Sequence, residues 1–208
     1  MAMLWRAFSS IAAEHPFWSQ TFVATTKSII ADAGTQRFVE KRDLDTYDWK
    51  RTAVFGTFGF VYLGILQYGV YVKGFEYLFN KKVINRFCNA PFREKLKDKE
   101  GIRVLGKQIA LDFIVLQPLV YWPCYYTTKE FVKSPEPVVE GVKKDESGAF
   151  SRAMTKYGKT FWIDNVGMLG FWFPADIVIY SVPMHLRLHL THVVSFAWTV
   201  VVSTYRGD

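Results

Sequence analysis

The sequence predicts an all-α integral membrane protein: a helical bundle of about four transmembrane helices plus an amphipathic N-terminal segment. Three observations carry that prediction. Residues 52–72 contain no charged side chain, and an α-helix needs about 20 such residues to cross the hydrocarbon core of a bilayer. Three further apolar segments follow along the 208-residue chain. Aromatic residues make up 17% of it, a load that suits side chains meeting lipid headgroups.

The chain reads as one membrane domain, residues 1–208. Its apolar segments lie near 17–38, 52–79, 104–128 and 161–205, and its charged loops at 39–51, 80–103 and 129–160. The residues before the first segment lack the Arg- and Ser-rich, acid-free look of a cleavable transit peptide and the pattern of a secretory signal. The first segment is amphipathic, with Lys27 and Asp32. It either crosses against other helices or lies in the interface. The second is interrupted by Gly56, Gly59, Gly64 and Gly69. Glycine weakens a helix in water, but in lipid small residues let helices approach closely. The third carries Asp112, Pro118 and Pro123. Prolines at that depth are tolerated where neighbouring helices satisfy the freed backbone groups. The fourth carries Asp164, Pro174 and Asp176, and a final apolar run follows a histidine-rich turn.

The formal net charge is +7, a balance that attracts nucleic acid or anionic lipid. Its placement decides between them. The cations flank the apolar segments, and the aromatics lie mainly within those segments rather than on a stacking surface, so nucleic acid is not expected. Lys81, Lys82, Arg86 and Arg93, in the basic loop 80–103, are expected to contact phosphates of anionic lipids such as cardiolipin. Cys88 and Cys124 form neither a disulfide framework nor a Cys-x-x-Cys pair.

No nucleophile elbow and no phosphate loop occurs, so neither enzyme activity nor a cofactor is expected. Asp112 and Asp176 stand out because a charged, unpaired carboxylate at membrane depth costs several kcal/mol. Each should be protonated or paired. Asp112 is expected to meet a basic or polar group of another helix, with Arg187 and Lys27 as candidate partners. A structural tie between helices is the first reading and a proton relay the second.

His185, His189 and His192 share an arc of roughly 60° on a helix, continued by Phe196, Thr199 and Ser203. Arg187 and Trp198 lie on the opposite side. The first and last histidine are about 10.5 Å apart along the axis. Metal–nitrogen bonds are only about 2 Å long, so three ligands on one straight helix are strained and no metal site is expected. The stripe reads as a semi-polar face at the membrane surface, with His189 and His192 near lipid phosphates or a partner.

Read together, these positions resemble the Mpv-seventeen/peroxisomal membrane protein family. Val182, Pro183, His185, Arg187, Trp198 and Ser203 match its C-terminal signature in spacing. Leu4, Trp5 and Pro16 match its opening. Asp32 and Gln36 match its Gly-Asp-x-x-x-Gln, with Ala31 in the place of Gly. Asp48 and Arg51 match its Asp-x-x-Arg. Lys107, Asp112 and Pro118 match its Lys…Asp-Gln…Pro, with Phe113 in the place of Gln. The family's Gly-Pro…His-x-Trp-Tyr becomes Gly64, Ile65, Tyr68, Val70 and Tyr71, and its Gln and Asn-Phe positions become Ala175, Val178 and Ile179. The resemblance implies a small four-span protein of the mitochondrial inner membrane or, alternatively, the peroxisomal membrane. Some members are proposed to form non-selective channels. Several polar positions of the bundle are apolar here. That loss favours a non-catalytic accessory subunit, docked on other subunits of a respiratory or ATP synthase type complex, over the channel alternative.

Overall fold

The computed structural model describes residues 14–133, 148–182 and 184–207, all of whose regular structure is helical. Leu4, Trp5 and Pro183 lie outside the described residues, as do the side chains of Pro16, His185 and His189.

Helix α1 (Pro16–Gly34) opens with a proline in its first turn, where the missing N–H costs no hydrogen bond. It widens into a π-helical turn, Thr35–Val39, and the chain then reverses at Lys41, a left-handed residue with φ 57°. Helix α2 (Trp49–Tyr71) is capped by Asp48, whose carboxylate accepts the N–H of Arg51 at 2.8 Å. Helical turns continue through Phe75–Leu78. Helix α3 (Lys81–Asn89) is capped by the Asn80 side chain. A one-turn helix, Phe92–Lys95, leads to α4 (Lys99–Lys133), capped by Asp98 through the N–H of Gly101 at 3.0 Å. Within α4 the stretch Asp112–Tyr121 is π-helical and contains Pro118, which has no N–H to donate. Helices α5 (Ala149–Ser181) and α6 (Met184–Arg206) complete the order.

Among the described residues, α2 and α4 are long and apolar enough to cross a membrane, with mean hydropathies of 1.5 and 1.3. α1 and α5 reach the length, at 19 and 33 residues, but not the apolar content. Buried polar side chains run through both: Ser28 and Asp32 in α1, Asp164 and Asp176 in α5. The helical class expected from the sequence is thus observed, with two helices rather than four meeting the measure of a span.

The helices gather into two compact units. The first holds α1, α2 and the part of α6 from Ser195 onward; the second holds α3, α4, α5 and α6 up to Val194. In the first, α1 lies directly on the glycines of α2. A Cβ at Gly64 would come within 2.7 Å of Thr21 Cγ2, and one at Gly59 within 2.9 Å of Ser28 Cβ. Only glycine permits that approach, which is how small residues bring helices together where no water drives them. Ala24, Val54, Phe55, Phe58, Trp198 and Val202 fill this core.

In the second unit α3 is strongly amphipathic. Ile84, Phe87 and Cys88 turn inward against Phe79, Val104 and Leu105. Gly101 of α4 sits under the Phe87 ring. Farther along α4, Trp122, Tyr125 and Tyr126 form an edge-to-face aromatic group that reaches Tyr157 of α5, the preferred arrangement of ring quadrupoles.

Candidate functional site

The first unit is organised around Arg51. Its side chain is 1% exposed and Asp32, its main partner, 0%. Arg51 Nε donates to Asp32 Oδ1 at 2.8 Å, and Arg51 Nη2 donates to Ser203 Oγ at 2.6 Å. The Ser203 hydroxyl in turn donates to Asp32 Oδ1 at 2.7 Å. The other Asp32 oxygen accepts from Gln36 Nε2 at 2.9 Å and from the Thr52 hydroxyl at 2.6 Å. Gln36 also ties the loop down: its amide donates to the Asp48 carbonyl at 3.1 Å, and its oxygen accepts the Asp48 N–H at 2.8 Å. Glu40 closes the outer side of the guanidinium at 2.7 Å. Those hydrogen bonds hold the Glu40 carboxyl below the usual carboxylate range. Gly207 lies so close to the guanidinium that a side chain there would collide with it.

Four residues matched to two short motifs, Asp32, Gln36, Asp48 and Arg51, therefore meet in one buried network, joined by Ser203 of the C-terminal signature. A buried ion pair of this kind holds only if its remaining hydrogen-bonding positions are satisfied, and here neighbouring side chains do that. Glu40 and Thr52 are members that motif reasoning missed. Thr52 lies one helical turn beyond Asp48, and Glu40 one beyond Gln36, so both were within reach of a helical-face argument.

Farther along α1, Lys27 Nζ donates to Ser195 Oγ of α6. Ser195, Thr199 and Ser203 form one buried stripe on α6, spaced four residues apart. Thr199 and Ser203, expected to extend the histidine stripe along a face at the membrane surface, instead point into the bundle. His192 is half-buried with Nδ1 enclosed. Trp198 is buried in the same unit.

Among its described residues the second unit buries three carboxyl groups, Asp112, Asp164 and Asp176. Gln117 donates to Asp112 Oδ2 at 3.1 Å. Asp176 of α5 is buried beside it. The expected polar partner on another helix is therefore a second acid. Neither basic candidate fills that place: Lys27 is engaged with Ser195, and Arg187 lies at the end of α5. Asp164, not singled out from the sequence, accepts from the Tyr126 hydroxyl at 2.8 Å and from the Thr160 hydroxyl at 2.6 Å. The Pro118 carbonyl accepts the Tyr157 hydroxyl at 2.9 Å.

Arg187 has a specific role. Its guanidinium donates to the carbonyls of Tyr180 at 2.6 Å and Val182 at 3.3 Å, the last carbonyls of α5. A basic side chain there satisfies acceptors the helix leaves open and complements its dipole. The same group lies over the Tyr180 ring, 5.5 Å from the centroid, and 2.9 Å from Cys88 Sγ. Cys88 is thus buried in the α3–α5 packing rather than sitting in an open loop. Of the loop cations, Arg86 is engaged by Asp98 at 3.0 Å and Glu100 at 2.9 Å. The Gly101 N–H and Arg86 together hold the Asp98 carboxyl below its ordinary range. Lys81, Lys82, Arg93 and Lys107 are exposed. No group of side chains able to hold a metal ion occurs among the described residues.

No model of a known protein family matches the chain, and no solved structure does. It is similar to the mitochondrial inner membrane protein Mpv17 of Danio rerio, with 22% identity over 204 residues, covering 98% of this chain and 97% of the relative. That near full-length match, with the motif residues gathered around Arg51, supports this chain's place as a divergent member of the Mpv17 family.

Proposed function

We propose that this protein is a non-catalytic component of the mitochondrial inner membrane that serves as a structural accessory subunit of a larger complex of the respiratory or ATP synthase type. The location follows from the similarity to a mitochondrial inner membrane protein. One observation carries the structural role: around Arg51 the buried polar groups bind one another. Asp32, Gln36, Arg51, Thr52 and Ser203 form a closed set of hydrogen bonds. A closed set ties helices together, whereas a water-filled path needs polar groups turned toward a lumen.

The channel reading keeps one observation in its favour. Lys27 and the Ser195, Thr199 and Ser203 stripe place polar groups along the interior of the first unit. The two readings separate by experiment. Solubilised in mild detergent at native stoichiometry, the protein is expected to migrate with a large membrane complex on a native gel. Migration as a free small protein, together with conductance of the purified chain in a planar bilayer, would establish the channel and reject the subunit.

A further inference from the structure

We propose that the connection between α2 and α4, centred on Phe92–Lys95, is a docking surface for anionic phospholipid headgroups, with Phe92 and Leu96 as an apolar wedge and Lys82, Arg93, Lys97 and Arg103 as phosphate contacts. The inference rests on reading α2 and α4 as membrane spans, and it names the partner of the segment between them.

Topology comes first. The segment leaves one membrane-length helix and enters the next. Its α3 helix folds back onto α4 through Phe87 and Gly101. A short connection held in this way stays at headgroup level. Exposure comes second. Phe92 is 74% exposed and Leu96 63%. Four residues apart around a single helical turn, they share a side. An apolar pair rimmed by cations is the pattern of an interfacial anchor, in which rings and aliphatic chains enter the acyl boundary and ammonium groups remain with the phosphates.

Charge comes third. Residues 80–103 hold eight cations and three acids. Two of those acids, Asp98 and Glu100, fold onto the one cation Arg86, and Asp98 also caps α4. Two of the three acids are spent on structure, Glu94 remains exposed, and the balance of the outward charge is positive. Arg86 accordingly belongs to the fold of the loop, and the lipid contacts fall to the exposed Lys82, Arg93, Lys97 and Arg103. A bilayer's anionic leaflet is the one acidic surface that the topology itself delivers.

The test uses the full chain, purified in detergent with an equimolar mixture of zwitterionic phosphatidylcholine and an anionic phospholipid, with retained lipid counted by native mass spectrometry. The native sequence should enrich the anionic lipid. The Lys82→Gln/Arg93→Gln/Lys97→Gln variant should lower that preference at low salt by up to about fivefold per charge removed. Phe92→Ser/Leu96→Ser should lower total retention and leave the preference in place. Equal retention of both lipids by the native chain would overturn the proposal. An unchanged preference in the triple variant would do the same, and loss of co-migration with a larger complex in that variant would then assign the surface to an acidic protein. Alkaline carbonate extraction of the same membranes separates the two levels: a chain that resists extraction but shows no lipid preference refutes the docking surface alone, and a chain that is extracted refutes the spans.

Discussion

In the first unit a buried acid faces a guanidinium; in the second, among the described residues, neutral donors meet two of three buried acids, and the third, Asp176, lies beside Asp112. Asp32 is met by Arg51, Ser203, Gln36 and Thr52. Asp112 is met by Gln117, and Asp164 by Tyr126 and Thr160. Both arrangements bury polar chemistry in an apolar bundle, but they fail differently. An ion pair that loses one member leaves a charge with nothing to balance it. An acid met by neutral donors can lose one of them without leaving an opposite charge unbalanced.

The largest expected effect follows from that difference. Arg51→Met should destabilise the folded protein by about 3–5 kcal/mol, the cost of leaving a partner charge buried. Asp176→Asn should cost about 1 kcal/mol or less, because a carboxamide keeps the shape of the side chain and can donate to Asp112. Unfolding in mixed detergent micelles, followed by far-ultraviolet circular dichroism, measures both. Equal losses would erase the distinction between the two units.

Tyr126→Phe sharpens the comparison at intermediate size. It removes one of two donors to Asp164 and should cost about 1–3 kcal/mol by the same measurement, less than Arg51→Met. A larger loss would mean that Asp164 is held as a full charge, as Asp32 is.

Glu40→Gln gives the smallest effect, and one that depends on pH. The carboxyl of Glu40 is held below its ordinary value by Arg51. Its contribution is therefore complete above the unfolded-state value of about 4.3 and is lost as pH falls through the lower folded-state value. Acid unfolding of the native chain should steepen below about pH 4 relative to the variant, and stability at neutral pH should differ little. Parallel acid limbs in the two proteins would show that Glu40 does not guard Arg51.

Much of the first cluster was legible because it is local. Asp32, Gln36, Asp48 and Arg51 fall within two short motifs on adjacent elements, and Asp48 announces itself as a helix cap. The second cluster was legible only in part. Asp112 and Asp176 drew notice because charge is costly in lipid, and a basic or polar partner was expected, but the two candidates named, Arg187 and Lys27, were both basic. Nothing local indicates that α4 and α5 would place one acid against the other. Asp164 was noted in its segment but given no role, because its donor Tyr126 lies 38 residues away, among several aromatics of equal standing.

The sequence by itself determined the helical class, the apolar lengths of α2 and α4, the glycine face of α2 and the basic character of the connection between them. These are properties of composition and period, which each segment carries alone. Tertiary structure alone decided that Ser203 closes the Arg51 site, that Arg187 seals the end of α5, that Arg86 is consumed by Asp98 and Glu100, and that Thr199 points inward. Each depends on the rotation and depth at which one helix meets another. That register is set by the sum of many small contacts, none of which is visible in the residue whose partner it selects.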